Sequence, residues 1–324
     1  MGRLLHHQWS APERAIFIAA LTITMGALFV TTYSLALGDP VPHRIKAALV
    51  GDARQSPRAA DAVARMKKDG LDFAPYQSVA SARAAIDEQR VYAALDVKTS
   101  ARPTLYVASA AGGSVARILE RDAAVDPPML VVDTHPLAPA DPNGVDIFYL
   151  MLVSSIIGFL TVFQVRANAG GLGLRHWTLW IVGLAVTASL VVTFVDSAIL
   201  DRFQLPFAET WGILALHILA VASFASTAAV LLGRWAILPT WLFFVVLGNS
   251  SSGGAVSPPL LPQPFAFVSQ WLPSGATVTS LRDAIYFYNF QHLRPLLVLG
   301  TWATVLFAAM IVASRKRQTS PGHG

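Results

Sequence analysis

AIFIAALTITMGALFVTTYSLALG, residues 15–38, is an uncharged run of 24 residues set apart from every other apolar stretch in the chain. A bilayer core about 30 Å thick takes roughly 20 apolar helical residues to cross, so the run reads as a membrane span. It exceeds the roughly 7–15-residue core of a cleaved secretory signal, which points to a retained anchor. A polar segment, 39–144, follows, and beyond it the chain is almost continuously apolar. The expected architecture is an α-helical integral membrane protein with six transmembrane helices and an extracytoplasmic α/β domain between the first and second. The boundaries read as a tail (1–14), a first span (15–38), a domain (39–144), a five-helix membrane domain (145–314) and a basic tail (315–324). The later spans fall near 145–165, 177–195, 209–232, 235–248 and 295–314, with an outer segment, 249–294, between the last two.

Hydrophobic residues make up 54% of the 324 and charged residues 13%, about half the charge of a soluble domain. The net charge of +5 resembles a nucleic-acid signal until it is mapped. Segment 39–141 carries 13 basic and 13 acidic residues. The excess is Arg3, Arg14, Arg166, Arg175, Arg234, Arg315, Lys316 and Arg317, opposed only by Glu13. These occupy the tails and alternate short loops, which stay cytoplasmic when basic. Both termini are therefore expected in the cytoplasm of a multi-pass plasma-membrane protein, with the lipid bilayer as its first partner. With no basic face interleaved with aromatics, no nucleic-acid partner is expected. Trp177, Trp180, Trp211, Trp235 and Trp241 lie near proposed span ends, where indole rings favour the interface.

In the polar segment, 44–50, 91–97, 104–108 and 129–133 read as strands, and 57–70, 79–89 and 114–124 as helices. That alternation indicates a compact α/β domain.

The chain has no cysteine, which excludes disulfides, thiol nucleophiles, iron–sulfur clusters and thiolate zinc. No Walker A pattern occurs, so any ATP must be bound by another subunit. Ser250 has Gly248 two positions before it but Ser252 two positions after, which fails the nucleophile-elbow pattern. The histidines show no metal spacing. No catalytic, cofactor or metal site is expected. His217 lies about two turns into the fourth span, where ionisable groups often mark a path, and Asp196 and Glu209 sit near span ends. A charge relay through Asp196, Glu209 and His217 is one reading. An interfacial carboxylate pair plus one hydrogen-bonded histidine is the other. The glycine-rich loop with Arg166, Gly170, Gly171, Gly173 and Arg175 reads as a flexible inner turn. Small residues four apart, Ala222/Ser226 and Ser223/Thr227, mark a close helix contact, within the bundle or between subunits. The proline-broken segment 249–294, with Asn249, Ser250, Gly253, Gly254, Arg282 and Asp283, is either a re-entrant lip or an external loop with a surface helix. Non-helical backbone survives at membrane depth only where protein or a cavity satisfies it.

The order of one span, an external α/β domain and five spans resembles the membrane subunits of ABC-2 type exporters. The resemblance is to the branch that contains the phage-infection protein (YhgE/Pip) and the fungal nitrosoguanidine-resistance membrane proteins. The stretches PTLYVASAAG (103–112), GNSSSGGAVSPPLLP (248–262), LPSGA (272–276) and LRDAIYF (281–287) carry the resemblance. It implies a permease, as a homodimer, moving a lipid, drug-like or cell-envelope compound with ATP hydrolysed by a separate ATPase subunit. The 166–176 loop would then be the ATPase contact, and 249–294 would lie near the path. The alternative from another class is a membrane scaffold or surface receptor acting through its neutral external domain.

Overall fold

The computed structural model describes residues 10–98, 102–169, 171–200 and 206–319. It is mostly helical, with one small sheet. Among the described residues, five helical stretches are long and apolar enough to cross a membrane: Ala11–Leu37, Asp146–Asn168, Leu174–Ile199, Phe207–Asn249 and Leu293–Arg317.

Helix α1 (Ala11–Leu37) starts at a capping box, with Ser10 N donating to Glu13 Oε2 (2.7 Å) and Glu13 N to Ser10 Oγ (3.4 Å). The chain then builds β1 (Ile45–Val50), α2 (Pro57–Lys68), β2 (Leu71–Tyr76), α3 (Val79–Asp87), β3 (Ala93–Asp96), β4 (Thr104–Val107), α4 (Gly113–Ala123) and β5 (Leu130–Asp133). The strand order is β2-β1-β3-β4-β5, parallel except for the antiparallel β3/β4 pair. Each expected strand and helix of this unit is present, and β2 is additional. Its sequence, LDFAPY, breaks the apolar alternation and contains Pro75, which an edge strand tolerates because one side of its ladder is unpaired. In α2, Ser56 caps the Ala59 amide (3.1 Å), and Ala59, Ala62, Val63 and Met66 form the buried stripe.

The sheet is covered on both faces. Leu95, Leu105, Val107, Met66 and Leu119 pack on one side, and Ala48, Val50, Ala94 and Ile86 on the other. Each core includes one residue from far along the chain: Leu260 in the first and Phe287 in the second, both buried.

The bundle comprises α5 (Asp146–Asn168), α6 (Leu174–Phe194), α7 (Phe207–Leu232), α8 (Ile237–Thr240, widening into π-type turns over Trp241–Asn249), α9 (Gln263–Ser269), α10 (Pro273–Tyr286) and α11 (Leu293–Thr319). Helix α7 is its hub, packing against α5, α6, α10 and α11. Leu214 clusters with Leu299, Ala220 with Ala303 and Ala225 with Met310, so α7 and α11 run in parallel. At Gly158 an added Cβ would fall 2.8 Å from Val221, so α5 and α7 approach as closely as a glycine allows.

The Phe207–Asn249 stretch is 43 residues long but not one straight rod. Gly233 adopts φ 58°, ψ −126°, open only to glycine, and the chain reverses there. Phe224 stacks on Phe243 with centroids 5.2 Å apart, a pairing symmetric about the turn. Pro239 withholds an amide from α8, and the turns beyond it widen. Helix α1 lies along this returning limb in the same direction: Phe17 against Trp235, Phe29 near Trp241, and Tyr33 OH donating to Val245 O (3.2 Å).

Two expectations follow. Leu260→Ala should destabilise the protein by about 2–5 kcal/mol, the cost of emptying a closed core site, read as a lowered unfolding midpoint in detergent. The Asp69 carboxyl, pushed up from 3.8 to about 6 by burial and then by the adjacent Asp122, supplies the second. A folded-state value above the unfolded one gives stability that is full below pH ~4 and lost as pH rises through about 6. Asp69→Asn should therefore gain stability over the wild type as pH rises from 4 to 7, and thermal unfolding across that range reads the difference.

Candidate functional site

His217 is fully buried in α7 and reaches two other helices. Its Nε2 lies 2.8 Å from Ser155 Oγ on α5, and its Nδ1 lies 2.9 Å from Thr277 Oγ1 on α10. The single proton of Thr277 is committed to Pro273 O (2.8 Å). The network therefore assigns the Nδ1–H as donor to Thr277, with Ser155 donating to Nε2 in the neutral ring. One imidazole thus joins α5, α7 and α10. Phe244 closes over it edge-on, 6.3 Å between centroids. Other buried hydroxyls of these helices, on Ser154, Thr210, Ser223, Ser226, Ser274 and Ser280, find no hydrogen-bond partner among the described residues. Helix serines and threonines can instead bond the carbonyl one turn back, as Thr277 does.

The segment after α8 packs between the sheet and the bundle. Asn249, Ser250, Ser251 and Ser252 are buried, as are Arg282 and Asp283. Asn249 lies near the Tyr33 hydroxyl without meeting hydrogen-bond geometry. Ser250 folds its hydroxyl back to the carbonyl of Val246. Arg282 donates to Gly253 O (3.0 Å), and Gly254 lies against Phe148. Asp283 accepts Gln89 Nε2 from the sheet domain (2.8 Å) and His292 N (3.1 Å), with His292 Nδ1 at 3.4 Å. Ser257 pairs with Ser114 (2.8 Å), His43 N donates to Pro259 O (2.8 Å), and His135 stacks on Phe287 (4.6 Å). Eleven of the fourteen residues of α10 are buried, so it is no surface helix. Thr277 and Asp283, six residues and about 9 Å apart along the axis, tie this helix to the bundle at one point and to the sheet domain at the other.

Two of the expected relay residues, Glu209 and His217, are not brought together. Glu209 is exposed and accepts from Gln291 Nε2 (2.7 Å). It sits eight residues, about 12 Å, from His217, whose two nitrogens are engaged elsewhere. Asp196 is buried in a wide turn that continues α6. The hydrogen-bonded histidine of the second reading is the arrangement found for His217. Glu209, Asp283 and His292 rim a cavity of about 660 Å³ walled by Val182, Ile213 and Leu216.

At the opposite end of the bundle, Arg166 lies over the Trp177 ring (4.7 Å), which stacks on Trp180 (5.0 Å). Arg166 and Arg317 line one cavity of about 330 Å³ with Ser314. Arg175 stands in the first turn of α6, Gly171 and Gly173 have open space beside them, and Gly170 lies outside the described residues. Ser155, Thr277 and Gln89 were not marked by sequence, because a serine, a threonine and a glutamine carry no pattern until a partner is placed beside them.

No protein-family model, curated protein or solved structure matches the chain.

Thr277→Val should leave the His217 Nδ1–H without an acceptor and lower stability by about 1–3 kcal/mol. Thr277→Ser should retain most of it, with thermal unfolding in detergent as the measurement.

Proposed function

We infer that this chain is the membrane permease subunit of an ABC-2 type exporter, moving a lipid, drug-like or cell-envelope compound while a separate subunit hydrolyses ATP. The finer topology belongs to the same reading. The reversal at Gly233 divides the 43-residue stretch into two passes, giving six in all. Both termini are then cytoplasmic, the sheet domain is extracytoplasmic, and the chain sits in the plasma membrane as a homodimer.

The observation that carries the reading is the placement of α10. It holds the buried His217 through Thr277 and the sheet domain through Asp283 and Gln89. A rigid helix in contact with both can transmit a rearrangement of the bundle to the domain. The polar bundle interior adds support, because unpaired hydroxyls among apolar helices suit a path that carries water or polar cargo. So do Arg166, Arg234 and Arg317, gathered at the end away from the sheet domain. A short basic loop there suits both a cytoplasmic face and contact with an ATPase.

Deleting the sheet domain would strip Leu260 and Phe287 of their cores, so point variants test the idea better. Gln89→Ala should leave the protein folded and lower export of a fluorescent amphiphile from cells several-fold. A receptor acting through the domain's outer face would be unmoved by it. Affinity purification from native membranes should recover an ATPase subunit; recovery of none, with unchanged efflux on gene deletion, would overturn the reading.

A further inference from the structure

We propose that the groove between α1 and the returning limb of α8 binds one anionic phospholipid of the cytoplasmic leaflet. The acyl chains would lie along the apolar wall, and the phosphate would sit between Arg14 and Arg234.

The groove has a volume of about 1230 Å³. Phe17, Trp235 and Trp241 form part of its wall, and Gly26 opens it further, with nothing within 4 Å of an added Cβ. It extends along α1 from Arg14 to Val30, sixteen residues or about 24 Å. Half a hydrocarbon core is about 15 Å, so an acyl chain fits lengthwise within one leaflet. None of the most apolar window of α1 is buried by the rest of the chain, so lipid reaches the groove from the side.

Charge decides the occupant. Arg14 and Arg234 both line the groove, at its end next to the Gly233 turn. Among the described residues no carboxylate forms an ion pair with either; Arg234 lies over the Trp235 ring (5.2 Å), and the neighbouring Glu13 caps α1 through Ser10 N. Two guanidiniums at the mouth of an apolar slot match a phosphate with no compensating ammonium. A second copy of the chain is disfavoured. A two-fold axis normal to the membrane would set both copies' Arg14 and Arg234 at the same depth, like charge against like charge.

The proposal rests on the orientation inferred above but on no transport step. Loss of lipid binding would leave the exporter reading standing, and a missing ATPase would leave the groove standing.

The test reconstitutes the full chain in vesicles of equal phosphatidylglycerol and phosphatidylcholine, extracts it in mild detergent, and quantifies co-purified lipid by mass spectrometry. The wild type should enrich phosphatidylglycerol. Arg14→Gln or Arg234→Gln should each cut that enrichment about fivefold, the effect of one basic residue at an anionic surface. Gly26→Leu, which fills open space and leaves the unfolding midpoint unchanged, should reduce total retained lipid. Equal enrichment in the double arginine variant, or undiminished lipid with Gly26→Leu, would overturn the proposal. Because the chain has no cysteine, Gly26→Cys gives a clean second measurement. Efficient disulfide cross-linking between copies would place a protomer in the groove and overturn it as well. Failure to cross-link, with the enrichment pattern above, supports it.

Discussion

A polar group enclosed by apolar helices must be answered by the protein or by water, because an unpaired donor or acceptor there costs several kcal/mol. His217 imposes that demand at the centre of this bundle, and two hydroxyls from different helices meet it. Ser155 fixes α5 against α7, and Thr277 fixes α10 against both. Apolar packing alone would let these helices slide, since lipid tails compete for the same surfaces. The paired imidazole sets a register that packing does not.

That register extends to the sheet domain. Helix α10 carries Asp283 to Gln89, and the chain on either side of it delivers Leu260 and Phe287 into opposite faces of the sheet. The domain thus closes its core with residues that follow it by more than a hundred positions. Its stability and the packing of the bundle are one problem, and a shift of α10 is felt on both sides. Ser114–Ser257 and His43–Pro259 reinforce the junction with short polar contacts.

Much of this was legible in the order of residues. The 24-residue run of α1, the neutral segment after it and the later apolar stretches each follow from hydropathy, which is additive along the chain. The strands at Ile45–Val50, Ala93–Asp96 and Thr104–Val107 showed themselves as short apolar runs between turn residues. Strand β2 did not, because Pro75 and Asp72 break the alternation and only its edge position makes them harmless. The pairing of Asp196, Glu209 and His217 was suggested by nearness along the sequence to span ends. In three dimensions Glu209 turns to Gln291 and His217 to hydroxyls on other helices.

By itself, then, the sequence determined where the chain is apolar enough to enter a membrane, where it builds a sheet and how its charge is apportioned, because those properties are summed over neighbours in the chain. Tertiary structure alone decided that α1 lies along the limb returning from Gly233, that α10 lies buried rather than on a surface, and that His217 answers to Ser155 and Thr277. Each depends on contacts between residues tens to hundreds of positions apart, and a hydroxyl or a glycine has no role in a helix until another helix is brought against it.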